Sequence, residues 1–204
     1  MSQQHSRFGE ALAYAEAAHT GQMRKRTSVP YIAHLLGVAS LALEHGANED
    51  EAIAALLHDT VEDCGGLERL RDVRERFGPN VAEIVMGCTD ATEIPKPPWK
   101  QRKEAYVHDL AAAPPSVLLV SACDKLHNAR SLVLALRHEG DAAWRMFKGG
   151  KEGTLWYYRA VLDVLLRRGM HPILVDDLKT AVEEAHRLAG SNVPLSDVRF
   201  PVTH

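Results

Sequence analysis

The stretch Ala52-Ile53-Ala54-Ala55-Leu56-Leu57-His58-Asp59-Thr60-Val61-Glu62-Asp63 places an apolar run directly before a run of histidine and acidic residues. The apolar part has no polar face, which predicts a helix at the centre of a helical bundle. If one helix continues through the acidic part, His58 lies over Glu62 and Asp59 over Asp63, because residues four apart share a face. Burying these groups without a counter-ion would be costly, so we expect a divalent metal ion beside them.

Helical periodicity continues on both sides of this stretch. The pattern predicts further helices over about 8–19, 30–45, 67–77, 100–112, 153–168 and 173–188, with another beginning at 81. Residues 117–120 have strand composition but run straight into an apolar helical segment, so we predict one buried helix to 136. The proline-rich segment 89–99 is predicted to be a loop. The fold class expected is all-α, with a single domain over 1–190 and a polar tail at 191–204.

Two further polar residues lie on apolar helical segments and complete a candidate metal site. They are His34 and Asp124. A buried histidine alone is more often a hydrogen-bonded core residue, and Asp124 beside Lys125 could be only an ion pair. The order H…HD…D, with every member on an apolar helix, favours a metal site instead. Two imidazoles and two carboxylates suit manganese, iron or another first-row divalent ion better than they suit structural zinc.

Composition narrows the class of protein. The chain has 204 residues, 46% hydrophobic and 25% charged, with a formal net charge of −3, which argues against bulk electrostatic binding of nucleic acid or anionic membranes. We see no apolar segment long enough to span a bilayer and no secretory signal. The three cysteines are far apart, which fits a reducing compartment, so we expect a cytoplasmic protein.

The H…HD…D order resembles the signature of the HD phosphohydrolase superfamily. Its flanking segments, HTGQMRK at 19–25, PYIAH at 30–34, AALLHDTVED at 54–63 and CDKLHNAR at 123–130, resemble the (p)ppGpp hydrolase domain of RelA/SpoT homologues. The resemblance covers about 8–136 and implies an HD-domain helical bundle. No synthetase or regulatory segment follows in the sequence, so we expect the stand-alone type, a small alarmone hydrolase.

The resemblance also implies roles for individual residues. The metal ligands would be His34, His58, Asp59 and Asp124, with Mn²⁺ as the cofactor and other first-row divalent ions as alternatives. Glu62 and Asp63 would orient and deprotonate the attacking water. The substrate-binding residues would be Arg24, Lys25, Lys103, Asn128 and Ser131.

Several of these basic and aromatic residues also fit a purely structural explanation. Arg24, Lys25 and the pair Arg102-Lys103 could form solvated basic surface. The segment Trp156-Tyr157-Tyr158-Arg159 could line a nucleotide pocket, although aromatic residues at that density more often form core.

The chain departs from the family pattern at several positions. Residues 26–29 read Arg-Thr-Ser-Val where the family has Ser-Gly-Glu, Leu35 replaces a proline, and Cys123 and Lys125 replace alanine and arginine. None of these changes removes an expected metal ligand or acid. The altered loop bears on the choice of substrate.

The function implied is hydrolysis of the 3′-pyrophosphate of ppGpp or pppGpp, giving GDP or GTP and pyrophosphate. One alternative is an HD phosphohydrolase acting on a dNTP, a nucleoside monophosphate or NADPH. Another is a non-catalytic alarmone sensor. The partner expected is a small guanosine nucleotide, with no nucleic acid or membrane, and apolar faces on the last two helices suggest a homodimer.

Overall fold

The computed structural model describes residues 6–25, 27–93 and 95–190, and within these ranges the ordered elements are helices. The α-helices are α1 (Arg7–Ala18), α2 (Ile32–Glu44), α3 (Glu49–Leu57), α4 (Thr60–Cys64), α5 (Gly66–Phe77), α6 (Pro79–Cys88), α7 (Trp99–Leu110), α8 (Pro115–Glu139), α9 (Gly150–Arg167) and α10 (Pro172–Leu188). A 3₁₀ helix, Gly140–Met146, joins α8 to α9 and was not predicted. The all-α fold class is confirmed.

Helices α3 and α8 form the centre of the bundle. Every residue from Ala52 to Leu57 is at most 1% exposed, as the uniformly apolar sequence predicts. The strand-like segment 117–120 lies inside α8, which begins at Pro115 because proline is tolerated in the first helical turn. Helix α2 packs beside both α3 and α8, so the three helices enclose one buried space.

The continuous helix predicted through His58 and Asp59 was wrong. Helix α3 ends at Leu57 and α4 begins at Thr60, so His58 and Asp59 form the turn between them. The Thr60 hydroxyl donates to the Leu57 carbonyl at 2.6 Å, a side-chain bond of the kind that competes with the helical ladder. The Asp63 amide still donates to the Asp59 carbonyl at 3.0 Å, so the chain direction is nearly kept.

Two backbone hydrogen bonds join the two sides of the predicted loop between α1 and α2. The amide of Arg24 donates to the Val29 carbonyl and that of Tyr31 to the Gln22 carbonyl, each at 2.9 Å. This pairing holds Arg24 beside the start of α2, where its guanidinium lies over the Tyr31 ring.

The predicted tail at 191–204 lies outside the described residues. Across the described part, no helix is both long and apolar enough to cross a lipid bilayer.

Candidate functional site

Four expected metal ligands converge from three parts of the bundle. His34 comes from α2, His58 and Asp59 from the turn between α3 and α4, and Asp124 from the middle of α8. The sequence separates these elements, and the packing of α2, α3 and α8 brings them together. Both imidazoles and the Asp124 carboxylate are buried.

The facing atoms are spaced as ligands around one ion. His58 Nε2 lies 3.0 Å from Asp59 Oδ2 and 3.5 Å from Asp124 Oδ1. His34 Nε2 lies 3.4 Å from Asp59 Oδ2 and 3.2 Å from Asp124 Oδ1. Metal–ligand bonds of about 2.0–2.2 Å put neighbouring ligand atoms about 3 to 3.6 Å apart, so these separations fit a first-row divalent cation.

The hydrogen-bond pattern of the imidazoles also fits a cation. Among the described residues, the buried Nε2 atoms of His34 and His58 have no hydrogen-bond partner of normal geometry. Buried polar atoms of this kind are rare and need an explanation. The ligand atoms of His34, His58 and Asp59 all lie within 4.8 Å of one another, so one ion could satisfy them together.

The electrostatic field of the site favours positive charge. Burial lowers the pKa of His58, but the carboxylates of Asp59 and Asp124 outweigh burial and raise that pKa well above its usual value. The same carboxylates would attract a divalent cation. A metal-bound imidazole is neutral, so a cation would replace the proton that they favour on His58.

Neighbouring side chains orient the two carboxylates. The Tyr31 hydroxyl donates to Asp59 Oδ2 at 2.6 Å. The Lys125 ammonium, which is buried, donates to Asp124 Oδ2, and the Asn128 amide donates to Asp124 Oδ1 at 2.5 Å. Each carboxylate therefore has a partner that fixes its rotation, as outer-shell groups do in metal sites.

The two expected catalytic acids lie on α4, next to the histidine–aspartate turn. Lys96, from the proline-rich loop, donates to Glu62 Oε1 at 2.9 Å and to Asp63 Oδ1 at 3.2 Å. Burial, with the nearby charges of Asp90 and Asp59, raises the pKa of Glu62. A carboxyl group with a raised pKa is a better proton acceptor once ionised, as a general base requires.

The expected Arg102-Lys103 pair is anchored by a buried acid. Arg102 donates to Asp90 Oδ1, and Lys103 donates to Asp90 Oδ2 at 2.5 Å. Although burial alone would raise it, the pKa of Asp90 is held below its usual range by Lys103 and Arg102. Arg102 is buried, and its guanidinium also lies 3.7 Å from Glu62, so Asp90 links this pair to the acids of α4.

Of the other expected substrate residues, Arg24 and Asn128 are linked to the candidate metal ligands by hydrogen bonds. Arg24 donates to the Asn128 side-chain oxygen at 2.7 Å and lies over the Tyr31 ring at 5.7 Å from its centroid. Lys25 is exposed. The Ser131 hydroxyl, one turn beyond Asn128, donates to the His127 carbonyl of its own helix at 3.0 Å.

The aromatic segment of α9 is core that borders the site. Tyr157 and Tyr158 are buried and Trp156 is half-buried. The Lys103 ammonium lies 4.7 Å from the centroid of the Tyr157 ring. Tyr157 and Tyr158 are therefore core residues, and Tyr157 also contacts Lys103 at the edge of the site.

Several site residues were missed from the sequence. Tyr31 stands in the PYIAH segment and His127 in the DKLHNAR segment, so both could have been found by asking which neighbours orient the ligands. Lys96 and Asp90 carry no comparable signal. Their segment was predicted only as a loop, and nothing in its spacing points to α4.

Comparison with known families gives a match over most of the chain. A family model described as an HD domain matches residues 11–154, a range that contains all four candidate metal ligands.

Several curated relatives that are similar to part of this chain share one enzyme name. The guanosine-3′,5′-bis(diphosphate) 3′-pyrophosphohydrolase of Aquifex aeolicus is 36% identical over 125 residues, which are 60% of this chain and 17% of that protein. The enzyme of the same name from Drosophila melanogaster, MESH1, is 34% identical over 130 residues, 62% of this chain and 70% of that protein. Human MESH1 is 37% identical over 126 residues, with coverages of 60% and 68%. The matched segment is thus a small part of the bacterial relative and most of the MESH1 proteins.

Solved structures share the fold. One, described as a metazoan ortholog of SpoT that hydrolyses ppGpp, superposes with a TM-score of 0.69 at 26% identity, covering 94% of this chain and 99% of that one. The protein lmo0812 of Listeria monocytogenes gives a TM-score of 0.65 at 28% identity, covering 78% and 99%.

Proposed function

Because the chain belongs to the HD-domain family, we propose that it is a divalent-metal-dependent hydrolase that removes the 3′-pyrophosphate of ppGpp or pppGpp. The products would be GDP or GTP and pyrophosphate. The names of the MESH1 relatives and of the Aquifex aeolicus relative support this substrate. So does the structural neighbour described as hydrolysing ppGpp.

The observation that carries the proposal is the pair of buried imidazole nitrogens among the candidate metal ligands. Nε2 of His34 and Nε2 of His58 face the carboxylates of Asp59 and Asp124 at 3.0–3.5 Å. Neither nitrogen has a hydrogen-bond partner among the described residues. These four side chains are the proposed ligands. Such a mixed nitrogen and oxygen set suits Mn²⁺, which we propose as the native ion.

The chemistry divides between the ion and the acids of α4. The bound ion would lower the pKa of water and stabilise negative charge at phosphate oxygens. Glu62 would take the proton from the attacking water, and Asp63 would orient that water. A new P–O bond forms to the water oxygen while the bond from phosphorus to the 3′ oxygen breaks. The nucleoside 3′ hydroxyl leaves after gaining a proton.

The residues expected to bind substrate would hold the nucleotide. Arg24, already oriented by Asn128 at 2.7 Å, can bind phosphate oxygens bidentately. Lys25 and Lys103 would add positive charge, and Ser131 a hydroxyl. Lys103 is bonded to Asp90, so part of its charge is already balanced before substrate arrives.

The proposed location is the cytoplasm. Cys64, Cys88 and Cys123 are all free thiols, as expected for a reducing compartment.

The test is an assay of the purified protein, stripped with a chelator and reloaded with Mn²⁺, on ppGpp. NADPH and a panel of dNTPs and nucleoside monophosphates are assayed in parallel. Asp59→Ala is the inactive variant, and Asp109→Ala, at an aspartate whose side chain is 81% exposed on α7, is the matched control. We expect GDP and pyrophosphate from the native protein and from Asp109→Ala, and none from Asp59→Ala.

Other outcomes separate the alternatives. Turnover of NADPH or a dNTP instead of ppGpp would keep the metal mechanism and overturn the substrate. Binding of Mn²⁺ and ppGpp without any product would favour the sensor.

The proposed homodimer depends on the last two helices. Leu166 on α9 is 51% exposed and Ile173 on α10 is 68% exposed, so each presents to solvent an apolar side chain that a second copy of the chain would cover. A mass of two chains by light scattering, reduced to one chain by Ile173→Asp, is the expected result.

A further inference from the structure

A third histidine, His127, contacts His34 on the side away from the other candidate metal ligands. Nδ1 of His127, on α8, is 2.9 Å from Nδ1 of His34, and the ring centroids are 4.8 Å apart. This imidazole points at the side of His34 that faces away from the carboxylates.

The geometry requires a particular pair of tautomers. Nε2 of His34 faces Asp59 and Asp124, so a bound cation needs the lone pair of His34 on that nitrogen. A neutral imidazole with its lone pair on Nε2 carries its proton on Nδ1. That N–H points at His127 Nδ1, which must then accept the hydrogen bond, because two N–H groups 2.9 Å apart would repel.

The other metal histidine is oriented differently. Nδ1 of His58 donates to the backbone carbonyl of Ala55 at 2.8 Å. A carbonyl oxygen can only accept, so the backbone itself fixes the tautomer of His58. His34 has a side-chain partner in that place, so its tautomer depends on the identity and position of residue 127.

Space for the third histidine comes from a glycine. Gly37 lies on α2, three residues after His34, and a Cβ added there would overlap Cδ2 and Nε2 of the His127 ring. Any larger residue would therefore push the ring away from His34. The close approach of α2 and α8 at this point depends on the missing side chain.

We propose that His127 is a positioning residue of the metal centre, accepting the hydrogen bond from Nδ1 of His34 and so directing the Nε2 lone pair at the cation, with Gly37 providing its space. This inference rests on the metal-binding part of the proposed function and not on the identity of the nucleotide. Outer-shell partners of this kind typically change metal affinity by about 10–100-fold when removed.

The test is titration calorimetry of Mn²⁺ into the chelator-stripped full chain, without nucleotide. His127→Phe keeps the ring volume and removes the acceptor. His127→Asn keeps an acceptor near the position of Nδ1. Gly37→Ala displaces the histidine. His138→Phe, at an exposed position on the same helix, is the control.

We expect the Mn²⁺ dissociation constant to rise about 10–100-fold in His127→Phe and in Gly37→Ala. It should stay within a few-fold of native in His127→Asn and be unchanged in His138→Phe. Thermal unfolding of each metal-free variant checks that a loss of affinity is not a failure to fold. If His127→Phe does not fold, the Mn²⁺ affinities of His127→Asn and Gly37→Ala decide whether the inference holds.

Two results would overturn the inference. One is native Mn²⁺ affinity in folded His127→Phe. The other is an equal loss in His127→Asn and His127→Phe, which would mean that the acceptor is not what matters. A native protein that binds Mn²⁺ but does not cleave ppGpp would contradict the proposed substrate and leave this inference intact. If the native protein binds no divalent cation, both fail.

Discussion

Lys96 is the residue that joins the two acids of α4. It contacts Glu62 and Asp63 together, at 2.9 and 3.2 Å, and is only half-buried. Its positive charge offsets part of the cost of placing two carboxylates beside Asp59. The state of the acids is thus determined by a side chain from a distant loop as well as by their own helix.

Replacing Lys96 should change the pH dependence of the reaction. Burial and the charges of Asp90 and Asp59 raise the pKa of Glu62, and the bond from Lys96 lowers it. In Lys96→Met the pKa of Glu62 should therefore rise further. Glu62 accepts a proton only when ionised, so the acidic limb of the kcat/KM profile should move to higher pH.

The measurement is a pH–rate profile of the Mn²⁺-loaded native and Lys96→Met proteins on ppGpp. Lys100→Met, at a lysine whose side chain is 77% exposed at the start of α7, is the control and should leave the profile in place. An acidic limb unmoved by Lys96→Met would contradict a role for Glu62 as the base.

Arg24 and Asn128 should act as one unit in substrate binding. Asn128 accepts from Arg24 at 2.7 Å and donates to Asp124 at 2.5 Å, so it connects the guanidinium to a proposed metal ligand. We expect Arg24→Ala and Asn128→Ala each to raise the KM for ppGpp by about tenfold or more, since hydrogen bonds to charged groups contribute about 1.5–3 kcal/mol.

The double variant tests whether the two residues are coupled. Removing both should raise KM by less than the product of the single effects, because the second change removes an interaction already lost. Multiplicative effects would show that Arg24 and Asn128 bind independently.

At the scale of the elements, α8 is the helix that organises the site. His127, Asn128 and Ser131 lie three, four and seven residues after Asp124, so one face of α8 carries a proposed metal ligand, the partner of another and two proposed substrate-binding residues. The break between α3 and α4 complements this face. From this turn, His58 Nε2 and Asp59 Oδ2 lie 3.0 Å apart.

The start of α3 is held by a capping box. The Asn48 side chain accepts from the Glu51 amide at 3.0 Å, and the Glu51 carboxylate accepts from the Asn48 amide at 2.8 Å. Asn48→Ala should lower the free energy of unfolding by about 1 kcal/mol, the usual cost of losing such a cap.

Denaturant unfolding measures this effect, with Asn48→Ser as the matched variant that keeps an acceptor. The serine variant should retain most of the stability. Since the cap is at the opposite end of α3 from His58, kcat should stay native in both. An alanine variant as stable as the serine variant would show that the cap does not stabilise α3.

For the whole molecule, the central problem is the burial of charge inside a helical core. Asp124 and Lys125 are buried in α8 among apolar neighbours, beside two buried imidazoles. Lys125 balances one carboxylate, and the remaining negative charge creates the need for a cation. Metal binding should therefore be linked to folding.

Metal should raise the thermal stability of the folded chain. At a free Mn²⁺ concentration of about 100 times the dissociation constant, the expected gain is about 2.7 kcal/mol. For a chain of this length that corresponds to a rise of about 5–10 °C in Tm. Differential scanning fluorimetry with Mn²⁺ and with chelator measures it.

The control for this prediction is Asp59→Ala, which removes a proposed ligand. Its Tm should respond much less to Mn²⁺ than that of the native protein. An equal response in both proteins would mean that the ion binds elsewhere.

Much of the protein could be predicted from local sequence patterns. Apolar periodicity predicted the helices, and the uniformly apolar run before His58 predicted the centre of the bundle. The proposed ligand set was recognisable because His34, His58, Asp59 and Asp124 all stand on apolar segments, where burying an unpaired polar group is costly. The helix break at His58-Asp59, where the Thr60 hydroxyl bonds to the Leu57 carbonyl, was not predicted.

What the sequence by itself determined is therefore the helical class, the buried segments and the residues able to bind a metal ion, since periodicity and residue chemistry are local. The tertiary structure alone decided which side chains meet. Lys96 reaches Glu62 across 34 positions, and His127 reaches His34 across 93. Such contacts depend on how helices pack and on the space left by single residues such as Gly37, and no short-range pattern records either.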